Sequence, residues 1–533
     1  MLHGIEVDIN RFMTESSKVQ KQRFIEALSP PTHAETPEHA TITVNETIGR
    51  FAFLYERIRN AVDYKDDHLI RKAAILRIMK RQLVLENEPR VIADLLIREL
   101  IGARYLPNAK LSESKIDEVA ESIRKFQAVA KIKAGSERHM EWLRGLIAVE
   151  IEERLVDAKI EKALANFLYE RIAEQIRIKD GTMDETERRL QIYVACLRTF
   201  QKADEEVLGY KLLRAHLPEW VHPETWIEDA RPIAERLVAQ ERRIKTCLKH
   251  RLGPTFSRLV KPWSVSLNVL RDVMQEKPED VVMLLEKPEQ LAIRVARKAE
   301  SRYASSRGRV RRGTVRAILY LFVTKMLVAL LLEVPLEWLW YGGVDRLALG
   351  TNLVFPPVLM FCVGLLIRIP GQKNTERLQL GVKELLSDEP LPLREIRVRS
   401  KKGMRQFWFT AAYAFTFLLS FGLTISLLQA LHFTWLSISI FLFFLCIVSF
   451  FGFRLRVAAR ELFVVEGKQG IFSMFVDFYS LPILRAGKWL SRSINRINVF
   501  LFIFDFLFEA PFKIFLTVLE EWFAFLKEKK EEL

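Results

Sequence analysis

Between His139 and Ile178 the apolar residues Trp142, Leu146, Val149, Leu155, Ile160, Leu164, Phe167, Leu168 and Ile172 recur at threes and fours, with charges between them. This spacing gathers apolar groups onto one stripe of a helix. It predicts one or two long amphipathic helices, and the same coiled-coil-like patterning runs through residues 1–300 with almost no strand-like alternation. Boundary signals fit a bundle. Asp184 followed by Glu187 forms a capping box, and Pro89, Pro223, Pro278 and Pro288 suit first-turn positions. The acids of DYKDDH, Asp63 to His68, are expected to cap the next helix. The closely spaced prolines of Ser29 to Thr41 predict a loop, and the paired Lys-Pro-Glu tripeptides of Lys277 to Gln290 predict two short helices.

The pattern then changes. Residues 301–316 carry six arginines and no acid, and apolar runs follow. Four of them, at 317–336, 347–367, 407–431 and 433–453, are long enough for a hydrocarbon core that needs about 20 helical residues. Ten basic residues, from Arg368 to Arg405, separate the second run from the third, and Arg454, Arg456 and Arg460 follow the fourth. The other two connections hold only Arg346 between them. The positive-inside rule therefore predicts a multi-pass integral membrane protein with both termini in the cytoplasm.

Beyond the fourth run, Asn498, Asp505, Glu509, Lys513, Glu520 and Lys527 fall within a stripe of roughly 80° on a helical wheel, inside an otherwise apolar segment. Asp477, Arg485, Lys488 and Arg492 form a similar stripe before it, which Pro482 is expected to bend or divide. Such helices are expected at the headgroup boundary or against the bundle, with a fifth span after Asn498 as the competing reading.

Charge sharpens the division. Residues 1–300 hold 51 Lys and Arg against 48 Asp and Glu, while 301–533 hold 30 against 18. The excess accompanies the apolar runs, which points to anionic headgroups at the cytoplasmic face rather than to nucleic acid. The four cysteines form no C-x-x-C pair, and the first residues lack a secretory signal pattern, so the first half is expected to fold in a reducing compartment. Phosphate-binding loops, G-x-S-x-G elbows and kinase motifs are absent from the sequence, and no cofactor or metal is expected.

Lys325 is the main anomaly, an ammonium near the middle of the first apolar run, where a charge costs on the order of 3 kcal/mol on insertion scales. Glu333 lies eight residues on, which in a regular α-helix is about 12 Å along and 80° round, so it reads as a poor direct partner. Asp505, Glu509 or the hydroxyl row Thr416, Ser420 and Thr424 read as better ones. Glu333 and Glu337 flank Pro335 on one face and are expected to mark the outer exit of the helix beside Trp338, Trp340 and Tyr341, with cation binding as the sharper reading. His216, Glu219, His222, Glu224 and Asp229 lack metal-site spacing and are expected in a packed turn around Trp220 and Trp226, and Cys247 with His250 is weaker still.

These features predict an all-α protein. A cytoplasmic helical bundle (1–300) precedes an Arg-rich juxtamembrane linker (301–316), a four-span membrane domain (317–453) and interfacial amphipathic helices with a charged tail (454–533). The expected role is a non-enzymatic membrane scaffold whose helical domain binds a protein partner or a second copy. A transporter or channel with Lys325 in its pathway is the alternative, and a membrane-bound lipid-modifying enzyme ranks last.

Overall fold

The computed structural model describes residues 66–496, apart from short breaks at 133–134, 157, 180–182, 278–279, 344–345, 388, 397–402 and 466–470, together with 40–44 and a few isolated positions. Most of the SPPTHAETPEHAT segment and the stripe from Asn498 onward, with Asp505 and Glu509, lie outside the described residues. Described residues are almost wholly helical, as expected, with two three-residue strands.

One folding unit comprises residues 1–292, 380–397 and 511–533. It holds α1 (Asp67–Leu85), α2 (Pro89–Gly102), α3 (Ser114–Ile132), α4 (Glu137–Leu155), α5 (Lys159–Ala173), β1 (Ile176–Ile178), α6 (Glu185–Phe200), α7 (Glu205–His216), α8 (Arg231–Leu248), α9 (Gly253–Glu276) and α10 (Val281–Glu286). The long amphipathic stretch after His139 thus becomes α4 and α5, and its last three residues enter a strand. Sequence neighbours pack as hairpins, α1 on α2, α2 on α3 and α3 on α4, while α9 packs along α6. Phe256, Trp263 and Leu267 of α9 are buried. Full burial of one such side chain is worth about 1.5–3 kcal/mol.

Asp184 caps α6, accepting from the Thr186 amide at 3.2 Å, and Pro89 opens α2. Asp66 stands at the N-cap of α1 without a capping bond; its carboxylate instead pairs with Lys202 at 2.9 Å. The two short helices expected around Lys277 to Gln290 resolve differently. Val281–Glu286 is short, but the helix that Pro288 opens, α11, runs to Val328 and contains the Arg-rich stretch 301–316.

The segment 380–397 lies between the second and third apolar runs, yet it folds with the helical domain. Its strand β2 (Arg394–Ile396) pairs in parallel with β1, Ile176 opposite Arg394. The Arg394 amide donates to the Gln175 carbonyl at 2.7 Å and that of Lys179 to the Ile396 carbonyl at 3.1 Å. Arg171 Nη2 donates to the carbonyls of Glu384, Ser387 and Glu389 at 3.1, 2.9 and 2.8 Å. Trp263 Nε1 donates to the Glu384 carboxylate at 3.2 Å, and the Arg394 guanidinium stacks over the Trp263 ring.

The second unit comprises residues 293–379 and 398–510. After α11 come a π-helical turn (Ala329–Glu333), α12 (Val334–Tyr341), α13 (Arg346–Leu366), α14 (Gln372–Leu386), whose residues from 380 on belong to the first unit, α15 (Gly403–Ala430), α16 (Trp435–Arg460) and α17 (Ile471–Arg496). Four helices are long and apolar enough to cross a membrane: the α11–α12 rod, α13 from Ala348, α15 from Phe407 and α16 as far as Val457. Leu319, Phe322, Val323, Leu330, Phe415 and Leu418 stand exposed on them, as a lipid-facing surface requires. Leu321, Met360, Phe444 and Val448 are buried together where the rod, α13 and α16 meet. Gly452 lets Val363 approach closely, and Gly364 does the same for Thr314. Pro482 sits inside α17 without dividing it. That helix packs on α15 and α16, where Gly487 meets the Cys446 carbonyl too closely to admit a Cβ.

Candidate functional site

Lys325 and Glu333 form an ion pair of 2.8 Å, and both side chains are fully excluded from solvent. The eight-residue spacing works because the helix between them is not regular. Pro335 has no N–H and its ring crowds the carbonyl four residues back, so the preceding turn loosens. The Val334 amide reaches back to the Ala329 carbonyl, an i→i+5 bond. Such a turn holds one extra residue, which sets later side chains back by about 100°. The 80° offset of a regular helix therefore falls to roughly 20° on the other side, and Glu333 lies on the Lys325 face. Its Cα–Cβ bond also leans toward the N-terminus, and hence toward Lys325.

Neighbouring helices complete the surroundings. The Lys325 ammonium lies 5.0 Å from the centroid of the Phe444 ring. Glu333 Oε1 accepts from Asn352 Nδ2 of α13 and from Ser437 Oγ of α16, the latter at 3.0 Å. Asn352 also donates to Ser437 Oγ at 3.1 Å. Glu337, one turn beyond Glu333, takes up Ser437 Oγ and Thr434 Oγ1, both at 2.9 Å from its Oε1. Glu337 Oε2 and Asn352 Oδ1 are buried without a hydrogen-bond partner. Both glutamates are 0% exposed, whereas Trp338, Trp340 and Tyr341 are exposed. The acids thus face the protein interior.

The cluster ties three helices together through polar groups, a linkage strengthened where no water competes. Thr416, Ser420 and Thr424 turn elsewhere. Ser420 donates to the Tyr479 carbonyl at 3.0 Å, and Thr424 Oγ1 lies 2.6 Å from the Tyr479 hydroxyl. Sequence reasoning missed Asn352, Thr434 and Ser437. Their signal was available: each is a polar group near one end of an apolar run, where an inward-facing acid needs donors.

In the helical domain, Trp220 and Trp226 stack at 5.3 Å in the expected turn. His216 Nδ1 lies 2.7 Å from the Leu212 carbonyl, His222 pairs with Glu224 at 3.2 Å in an exposed position, and Asp229 accepts from the Arg231 amide at 3.3 Å. Trp226 Nε1 donates to the Glu219 carbonyl at 3.0 Å, Gln191 donates to the Cys247 carbonyl at 3.0 Å, and His250 Nδ1 accepts from the Leu252 amide at 3.3 Å. Among the described residues no group of three or more His, Cys, Asp and Glu is arranged to hold a metal. Beneath the turn, Lys125 and Glu150 form a buried ion pair, and Trp220 Nε1 donates to Glu150 at 2.9 Å. Burial lowers the Lys125 pKa against the pull of Glu150. A cavity of about 460 Å³ is lined by Tyr169, Tyr193, Glu153, Lys162, Lys211 and Arg214, among others. There Glu153 engages Lys162 at 2.9 Å, Arg214 at 3.5 Å and Lys211 at 4.0 Å. Burial pushes the Tyr169 phenol up to about 12, and its hydroxyl has no hydrogen-bond partner.

No family model, curated protein or solved structure matches the chain.

Proposed function

We propose that the chain is a multi-pass integral membrane protein whose four apolar helices anchor a large helical domain on the cytoplasmic side, where that domain binds a protein partner or a second copy. The observation that carries this reading is the return of residues 380–397 into the helical domain after the second apolar helix. Two crossings bring the chain back to the side it left, so a segment that folds with residues before the first crossing supports four spans of this parity. It also gives the domain more than one covalent tether to the spans. The basic segments before the first apolar helix, between the second and the third, and after the fourth support a cytoplasmic position for that side under the positive-inside rule.

The buried ion pair favours anchoring over conduction. Lys325 is paired with Glu333, lies over the Phe444 ring and is fully buried, which leaves no exposed ammonium for a solute. Ser437 is fully buried as well, out of reach of a lipid substrate.

Sidedness tests the reading. Single cysteines at the exposed positions Val84 and Leu393 and at Gly343 are labelled with a membrane-impermeant maleimide, in intact cells and in inverted vesicles. Positions 84 and 393 should label only in inverted vesicles and position 343 only in cells. Labelling of 84 and 393 from opposite sides would overturn the proposal. Reconstituted vesicles should show no ion flux above empty controls.

A further inference from the structure

The geometry around Ser437 leaves two buried oxygens without a donor. The acceptors are both oxygens of Glu333, both of Glu337, and Asn352 Oδ1. Against them stand the Lys325 ammonium, the Asn352 amide and the hydroxyls of Ser437 and Thr434. Ser437 lies within hydrogen-bond distance of both carboxylates but carries a single proton, so it serves one of them at a time. Two acceptors are left over, Glu337 Oε2 and Asn352 Oδ1, on residues 0% and 1% exposed. Charge gives the same result. Lys325 neutralises Glu333, which leaves Glu337 as one surplus negative charge in a dry interior. A buried carboxylate without a counter-charge is so costly that it takes up a proton or a cation.

We infer that Glu337 and Asn352 form a binding site for one small monovalent cation, a proton or an alkali-metal ion. Its ligands are the two orphaned oxygens, and Thr434 and Ser437 hold the carboxylate in place. One surplus charge with neutral oxygen donors suits a monovalent ion, whereas a divalent ion draws on a larger set of carboxylate and carbonyl oxygens. Among the described residues, the groups facing Glu337 are Lys325 and Glu333 on its own rod, Asn352 on α13, and Thr434 and Ser437 on α16. Of these only Lys325 and Glu333 titrate. Tyr341, Arg346 and His432 at the same helix ends are exposed. Access is short, since the helix ends one turn later at Gly342, whose left-handed φ of 70° closes α12. The inference is independent of the anchoring role, and the labelling experiment reports on that role alone.

The test uses the full chain in lipid nanodiscs, with sodium chloride against choline chloride as the probe. Infrared difference spectra read the C=O stretch of a protonated carboxylic acid, and thermal melts read cation-linked stability. If the site holds a proton, wild type in choline near neutral pH shows an acid band that Glu337→Gln removes and Thr434→Val shifts. If it holds an alkali-metal ion, sodium raises the melting temperature of wild type over choline, and Glu337→Gln abolishes that difference. A band that sodium itself removes shows both ions sharing the site. Wild type with neither a Thr434-sensitive band nor a sodium-specific rise overturns the inference, whether or not Glu337→Gln folds.

Discussion

Lys325→Met removes the ammonium and leaves Glu333 fully buried with only the neutral donors Asn352 and Ser437. At 2.8 Å and an effective dielectric of about 20, the pair attracts by roughly 6 kcal/mol. Inserting the two charges costs on the order of 3 kcal/mol each. The intact pair is therefore near break-even against an uncharged replacement, but either partner left alone is not. Breaking a buried pair costs about 3–5 kcal/mol. Lys325→Met and Glu333→Gln should each lower the melting temperature by roughly 6–20 °C, taking about 2–4 °C per kcal/mol for a unit of this size. The double variant Lys325→Met/Glu333→Gln, whose amide still accepts from Asn352 or Ser437, should regain most of that loss. The assay is the fraction of full-length protein that remains monodisperse on size exclusion after heating. A coupling energy below about 0.5 kcal/mol, or single variants as stable as wild type, would refute the pairing. Conduction through Lys325 predicts the opposite outcome, with full stability and lost flux.

Pro335→Ala restores an N–H and lets the π turn close into a regular helix, which rotates Glu333 through about 100° and off the Lys325 face. In that background Glu333 stands about 80° round from Lys325, and the Lys325/Glu333 coupling should fall to within error of zero, although alanine is the better helix former. Arg171→Ala deletes three bonds to the carbonyls of Glu384, Ser387 and Glu389, so hydrogen exchange at the Arg394 and Lys179 amides should quicken about ten-fold or more. Tyr169 has its phenol raised from 10.0 to about 12 by burial. A raised folded value gives stability that is complete below 10 and lost as pH climbs through 12. Tyr169→Phe should leave neutral stability unchanged or higher, since the hydroxyl has no partner, and should flatten the alkaline decline in helicity measured by circular dichroism.

The four apolar helices were legible because length and composition alone carry the membrane signal, and the amphipathic helices were legible because burial follows a 3.6-residue period. Lys325 was legible as an anomaly but its partner was not. The wheel assumes a uniform 100° per residue, and Pro335 breaks that assumption immediately beyond Glu333. The proline was visible, but its effect on phase was not counted. Asn352, Thr434 and Ser437 stayed hidden because a neutral amide or hydroxyl barely lowers the hydropathy of a span. Residues 380–397 read as a basic connection. Strand β2 has three residues, and Arg171 holds main-chain carbonyls, so neither contact imposes a pattern on side chains. The hydroxyl row of α15 was correctly picked out as polar and wrongly matched, because nothing local reveals that Tyr479 lies opposite.

The most direct measurement concerns whether the helical domain is held through its second entry. A protease site placed at residues 278–279, between α9 and α10, allows the chain to be cut after reconstitution, severing the covalent link that precedes the first apolar helix. The account predicts that the cut domain sediments with the vesicles through β1, Arg171 and Trp263, and that Arg171→Ala with a β2-breaking Glu395→Pro releases it. Release of the otherwise wild-type domain into the supernatant on cutting would contradict it.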